Sequence, residues 1–312
     1  MTNGRALNAR CAVGIELMDA AHQCSYSPTQ ADDWPEVTTT KSVRWANALL
    51  KIFAKTASLD PITRRVPDGI RVYCVGDIHG RDDLLQEMAK RVEADMEGQS
   101  FDEVTTVFLG DYVDRGLSSM QVVERLARGE WPTPIIALAG NHEDLLMAFL
   151  EDEGVLRSWQ GLGGLETLHS YGVDVGLGMA GRDFRGLQGA FAARFPGRHR
   201  QFLKTLKFST AIGDYFFCHA GIRPGVPLDR QSRDDLLSIR DPFLFSEAEH
   251  GKLVVHGHTP SVDPEIRPNR IGIDTAAYAT NRLTCLVLEG DQRRFLHVGG
   301  YDVQRGVDRA GL

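Results

Sequence analysis

Val75-Gly76-Asp77-Ile78-His79-Gly80 sets a carboxylate and an imidazole two residues apart where an apolar run stops. In extended chain, residues i and i+2 point to the same side, so Asp77 and His79 are expected to grip one cation while Ile78 turns back to the core. The preceding residues 71–75, Arg-Val-Tyr-Cys-Val, are β-branched and aromatic and read as a buried strand. The pair then sits at that strand's C-terminal end.

The same beat recurs downstream. Residues 104–109 read as a strand ending in Gly110-Asp111-Tyr112-Val113-Asp114-Arg115-Gly116, and residues 134–139 as one ending in Gly140-Asn141-His142-Glu143. Between them, Leu84, Leu85, Met88 and Val92 mark one helix face, and residues 118–128 are helical again. Asp77, Asp111 and Asn141 stand 34 and 30 residues apart, about one strand–helix–strand crossover each. Three parallel strands are therefore expected to deliver their tips to one edge, where α/β proteins place ligands. A helix is expected over 144–156.

Ten glycines then fall between positions 161 and 197. They mark an excursion from the core over about 157–200, with short helical pieces near 166–171 and 188–194. A flexible loop near 173–181 suits a lid or rim over the site, and an inert surface insertion is equally compatible. Strands resume over 214–218, 252–255, 271–273, 283–288 and 293–298. Two of them end in histidine motifs, Cys218-His219-Ala220-Gly221 and Val255-His256-Gly257-His258-Thr259-Pro260.

Size and charge bound the function. A chain of 312 residues holds one α/β domain, expected over 67–312, behind an N-terminal extension over 1–66. That extension reads as a mobile leader followed by an amphipathic helix over 42–55, where Trp45, Leu49, Ile52 and Phe53 recur at helical spacing. A net charge of −7 argues against bulk attraction to nucleic acid. Five widely spaced cysteines without a CxxC pair fit a reducing cytoplasm, and no run reaches the roughly 20 apolar residues of a membrane span.

Together the strand tips offer Asp77, His79, Asp111, Asn141, His219 and His258, all oxygen or imidazole donors. That inventory suits dications such as Mn²⁺, Fe²⁺ or Zn²⁺ and is too large for one ion, so two ions sharing a carboxylate are expected. Such a pair would activate water and clamp a phosphoryl oxygen in in-line displacement.

In order and spacing, these five motifs resemble those of the phosphoprotein phosphatase family of metallophosphoesterases, most of all its bacterial and phage lambda-type branch. The resemblance covers roughly residues 70–290. It implies a four-layer α/β fold, two mixed sheets packed face to face with helices outside. It implies two divalent ions, manganese first, one held by Asp77, His79 and Asp111, the other by Asp111, Asn141, His219 and His258. By the same match His142 is the acid that protonates the leaving group. Asp114 holds and charges it, and Arg115 and Arg240 bind the substrate phosphate.

There are departures. Lambda-type enzymes carry an arginine before the glycine of the asparagine–histidine motif, where this chain has Ala139, so one phosphate contact is either missing or supplied from elsewhere, Arg182 and Arg185 of the excursion being the candidates. The loop after Asp274-Thr275 reads Ala276-Ala277 where relatives commonly have Gly-Ala. His256 has no ligand counterpart; two residues before His258, it reads as a supporting or structural residue ahead of a direct ligand.

The resemblance implies a phosphomonoesterase, first of all a phosphatase of phosphoserine and phosphothreonine proteins, a broad-specificity phosphoesterase being an alternative. Symmetrical diadenosine tetraphosphate hydrolases share much of the motif set but usually carry alanine at the position of Asp114. A metal-loaded module that binds phosphorylated ligands without turnover is the alternative from another class. The intact His142, Asp114 and Arg115 weigh against it.

Overall fold

Valine and aromatic side chains alternate through the first strand, β1 (Ile70–Val75), so that Val72 and Cys74 face one layer while Tyr73 and Val75 face another. A computed structural model describes residues 63–300. The leader and the helix expected over 42–55 lie outside the described residues.

From β1 the chain runs through α1 (Asp82–Met96), β2 (Glu103–Phe108), α2 (Ser119–Ala127), β3 (Ile135–Ala137) and α3 (Asn141–Phe149). The glycine-rich excursion follows as α4 (Leu156–Trp159), α5 (Gly164–Ser170), α6 (Val175–Gly181), α7 (Phe184–Arg194) and α8 (Gly197–Thr205). A second run of strands is β4 (Ser209–Ile212) and β5 (Tyr215–Cys218). Then come α9 (Arg233–Ser238), α10 (Asp241–Leu244), β6 (Leu253–His256), β7 (Glu265–Ile266) and β8 (Arg270–Gly272). The described residues close with α11 (Ala277–Thr280), β9 (Arg282–Glu289) and β10 (Gln292–Gly299).

Among the described residues ten strands make two five-stranded mixed sheets, ordered β10-β9-β1-β2-β3 and β4-β5-β6-β8-β7. The expected parallel trio is present: β1 pairs with β2 and β2 with β3 in parallel, while β9 returns antiparallel along β1. In the second sheet β5, β6 and β8 are mutually parallel. Val72, Cys74, Val107 and Leu109 of the first sheet share a buried cluster with Tyr215, Phe217, Val255 and Ile271 of the second. The sheets therefore pack face to face. Leu84, Leu85, Met88 and Val92 of α1 cover the outer face of the first sheet, each such burial contributing about 1.5–3 kcal/mol. Leu236, Ile239 and Phe243 cover Phe216, Cys218 and Val254 on the outer face of the second. The result is helix, sheet, sheet, helix, the four layers expected.

Several local expectations are corrected. The helix expected over 144–156 starts earlier, at Asn141, and stops at Phe149, because the Asp152 side chain accepts from Gly154 N and turns the chain into a short 3₁₀ segment before α4. The expected flexible loop near 173–181 is largely the helix α6, and Val173 beside it is buried. Strands β4 and β7 were not expected: one is short and only half-buried, the other two residues long, and neither has the apolar run that marks a buried strand. Cys74, Cys218 and Cys285 are free and buried, as small apolar residues are. Among the described residues no helix is long and apolar enough to cross a membrane.

Candidate active site

The C-terminal ends of β1, β2, β5 and β6, with the start of α3, converge on one edge. There the chain leaves extended geometry at once. His79 (φ +46°), Asp111 (φ +53°), Asp114 (φ +73°), Arg115 (φ +66°) and His258 (φ +62°) all adopt left-handed backbone. Side chains at such positions cost about 1–2 kcal/mol each, and strain of this kind gathers at functional sites. Strand alternation is thus not what pairs Asp77 with His79. β1 ends at Val75, and a turn held by His79 N and Ile78 N donating to Asp111 O aims the two side chains.

Asp111 is the hub. Its Oδ2 lies 3.5 Å from His79 Nε2 and 3.7 Å from His142 Nε2, and its Oδ1 lies 3.4 Å from His219 Nε2. Asn141 Oδ1 is 3.0 Å from His219 Nε2. Asp77 Oδ2 accepts from His258 N at 3.0 Å, while Asp77 Oδ1 and His258 Nε2 are buried without a hydrogen-bond partner. Gly257 must be glycine for this approach, since a Cβ there would meet Asp77 Oδ1 at 2.0 Å. Two overlapping donor groups emerge, His79–Asp111–His142 and Asp111–His219–His258. Of the six ligand candidates read from sequence, His79, Asp111, His219 and His258 fall in these groups and Asn141 joins through His219, whereas Asp77 is in neither group and meets the cluster through His258 N. His142 also aims a ring nitrogen at the hub.

The protonation states suit a cation. Burial drives His79 down to about 4 and His258 to about 3, and lowers His219, so these imidazoles are neutral near pH 7 and offer lone pairs. Burial, then Asp274 and Asp111, pushes Asp77 well above the carboxylate range. A carboxylate pair and orphaned buried acceptors without positive charge are costly, and divalent ions among these donors would relieve that cost.

Burial works against the charged form of His142, yet Asp111 and the hydrogen-bonded Asp114 outweigh it and lift its pKa to about 9. Its Nδ1 is 2.6 Å from Asp114 Oδ2. Trp159 Nε1 donates to the same oxygen at 2.7 Å, and Thr167 Oγ1 donates to Asp114 Oδ1 at 2.6 Å. Glu143 is a second buried carboxylate beside the site. It accepts from the backbone N–H groups of Asp111, Tyr112, Val113 and Gly140 at 2.9, 2.7, 3.3 and 2.9 Å. Glu143, Trp159 and Thr167 were missed as site residues. The signal for Glu143 was its place three residues after Gly140, the spacing of a capping box.

A cavity of about 170 Å³ opens on the cluster, with Arg115, Arg240, Leu162, Pro260, Asp274 and Tyr278 along its rim. Arg115 lies over the Tyr278 ring at 4.5 Å and donates to its hydroxyl, and Arg115 Nε is buried without a partner. Arg240 is exposed and lines the same cavity. Neither Arg182 nor Arg185 lines the cavity, and Arg185 pairs with Glu153, so of the two alternatives at Ala139 a contact supplied by these arginines is not made. His256 packs edge-on against Phe243 at 5.0 Å, in the outer layer and outside both donor groups. A larger cavity of about 500 Å³, between residues 244–247 and 267–270, contains none of the cluster.

The description of calcineurin-like phosphoesterases matches residues 70–303. The chain is 40% identical over 77 residues to a symmetrical bis(5'-nucleosyl)-tetraphosphatase of Paracidovorax citrulli, covering 25% of each protein. It is 26% identical to the asymmetrical bis(5'-nucleosyl)-tetraphosphatase PrpE of Bacillus velezensis, over 67% of this chain and 86% of that protein. It is 32% identical over 83 residues to the serine/threonine-protein phosphatase 6 catalytic subunit of Drosophila melanogaster, covering 26% of this chain and 25% of that protein. The chain thus spans only a quarter of the first and third of these relatives. A crystal structure provisionally assigned as a diadenosine tetraphosphatase superposes with a TM-score of 0.51 at 22% identity, over 78% of this chain and 97% of that one. That likeness concerns the fold.

Proposed function

The chain belongs to the calcineurin-like phosphoesterases, and from that premise we propose that it hydrolyses phosphate monoesters, phosphoserine and phosphothreonine side chains of proteins first among them. The observation that supports this reading is the 2.6 Å pair of His142 and Asp114 beside the Asp111 hub, an acid held ready next to the donors for cations. Asp77, His79 and Asp111 would hold one divalent ion, and Asp111, Asn141, His219 and His258 the other. When bound, the ions supply positive charge that activates water and neutralises the phosphoryl group.

This chain's own residues do the rest. Arg115, with its unpartnered Nε, and Arg240, which lines the same cavity, bind and orient phosphoryl oxygens. His142 keeps Nδ1–H on Asp114 and carries the transferable proton on Nε2. The ester P–O bond breaks as a P–O bond to water oxygen forms. The leaving alkoxide takes the Nε2 proton, one water proton passes to solvent, and solvent restores His142. No phosphoenzyme forms.

His142→Asn is expected to lower kcat by about 10²–10⁴ while leaving the inhibition constant of inorganic phosphate nearly unchanged. Because the acid must be protonated, kcat on alkyl phosphates falls as pH rises through the His142 pKa, at or below about 9, cations beside Asp111 drawing it lower. The variant lacks that limb. Equal losses in rate and phosphate affinity would contradict the acid role.

Hydrolysis of a dinucleoside polyphosphate is the second reading, supported by the similarity to two tetraphosphatases. Rates on phosphopeptides and on diadenosine tetraphosphate, measured side by side with Mn²⁺, separate the two. Protein that binds Mn²⁺ fully and leaves p-nitrophenyl phosphate intact would instead be a phospho-ligand-binding module.

A further inference from the structure

Resting on the acid role of His142 argued above, we infer that the helical excursion is a clamp on the catalytic acid, in which Trp159 and Thr167 are positioning residues acting through Asp114. Both oxygens of the Asp114 carboxylate are engaged. Oδ1 takes the Thr167 hydroxyl at 2.6 Å, and Oδ2 takes Trp159 Nε1–H at 2.7 Å beside His142 Nδ1 at 2.6 Å. Asp114 N is held as well, donating to Thr167 Oγ1 at 2.9 Å and Ser119 Oγ at 3.0 Å. Asp114, Ser119, Trp159 and Thr167 are all fully buried.

Two of these four partners come from the excursion, 45 and 53 residues downstream, and not from the strand tips. They are built in. Gly164 opens α5 where a Cβ would strike the Trp159 ring at 2.4 Å, so indole and helix fit only with glycine there. Trp159 is packed on Phe149 at 5.2 Å, and Thr167 sits mid-helix with its hydroxyl turned inward. A carboxylate fixed at both oxygens cannot rotate, so Oδ2 stays on Nδ1 and the imidazole keeps its other nitrogen toward the Asp111 hub. Removing the Thr167 hydroxyl leaves Oδ1 unsatisfied in the core. The carboxylate would then turn to seek a donor, and His142 would lose its fixed orientation.

A leaving group that needs no proton reports the difference between this role and simple packing. In Thr167→Val and Trp159→Phe, kcat on phenyl phosphate and on a phosphoserine peptide should fall roughly 10- to 100-fold, because general-acid help is lost. On p-nitrophenyl phosphate it should change less than about 3-fold, with KM near wild type on all three. Thr167→Ser, which keeps the hydroxyl, should restore the rates. Loss of equal size on all three substrates, or Thr167→Ser as impaired as Thr167→Val, overturns the clamp while leaving the hydrolase reading intact. A wild-type protein inert on all three with Mn²⁺ removes that reading and the clamp together.

Discussion

At Ala276 a small residue carries a backbone better suited to glycine. Its φ of +53° and ψ of +53° lie in the left-handed region, where an L side chain costs about 1–2 kcal/mol. Ala276 N donates to Asp274 Oδ1 at 2.8 Å, and the turn delivers Tyr278 to Arg115. The glycine common here in relatives thus has a physical reason. Ala276→Gly relieves the strain, and glycine's greater freedom in the unfolded chain returns about 0.5–1 kcal/mol of the gain. A net stabilisation of about 0.5–1 kcal/mol is expected, a rise in Tm of about 1–4 °C for a domain of this size. A lower Tm would mean that the turn is not left-handed at this residue. His79, Asp111, Asp114, Arg115 and His258 share the conformation, but they hold chemistry that glycine would delete.

Between elements, the tie that matters most is Glu143, whose carboxylate joins the β2 tip to the start of α3. Burial, reinforced by Asp111, pushes its pKa up to about 8, while the four N–H donors pull toward the ionised form. Glu143→Ala strands those buried donors and should cost about 3 kcal/mol or more, read as a lower urea midpoint with unchanged slope. A loss under about 1 kcal/mol would show that the two loops hold their shape without it. This residue also marks how far the sequence could be read. Asp77, Asp111, Asn141, His219 and His258 were legible because each follows an apolar run at a strand tip, and two periods, 2 and 3.6, lay out the strands and helices around them. Glu143 left only a short capping signal. Trp159 and Thr167 left none, because their contacts to Asp114 span 45 and 53 residues and nothing in local periodicity encodes a contact so distant. The left-handed turn at His79 was hidden for a related reason: spacing alone cannot distinguish two residues sharing a strand face from two brought together by a turn.

On the scale of the whole molecule the donors straddle the two sheets. Asp77, His79, Asp111 and Asn141 come from the tips of β1, β2 and β3, whereas His219 and His258 come from those of β5 and β6. Cations among them would cross-link the sheets beyond their shared apolar core, so binding should stabilise the entire fold. At a free Mn²⁺ concentration about 100 times Kd, linkage adds about 2.7 kcal/mol, or roughly 5–11 °C in Tm. The pH dependence has a definite sign for Asp77. Its folded pKa is raised, so protonation of this carboxyl favours the metal-free fold at low pH, and that contribution is lost as pH rises through the folded value. A metal ligand must be ionised, so protons compete with the ion, and each ion bound through Asp77 below that value expels a proton. Neutral His79, His219 and His258 add no such penalty near pH 7. Chelated protein titrated with Mn²⁺ should therefore gain more Tm at pH 7.5 than at pH 6, and calorimetry in buffers of different ionisation enthalpy should register proton release. A Tm indifferent to Mn²⁺ at both pH values would mean that no cation bridges the sheets.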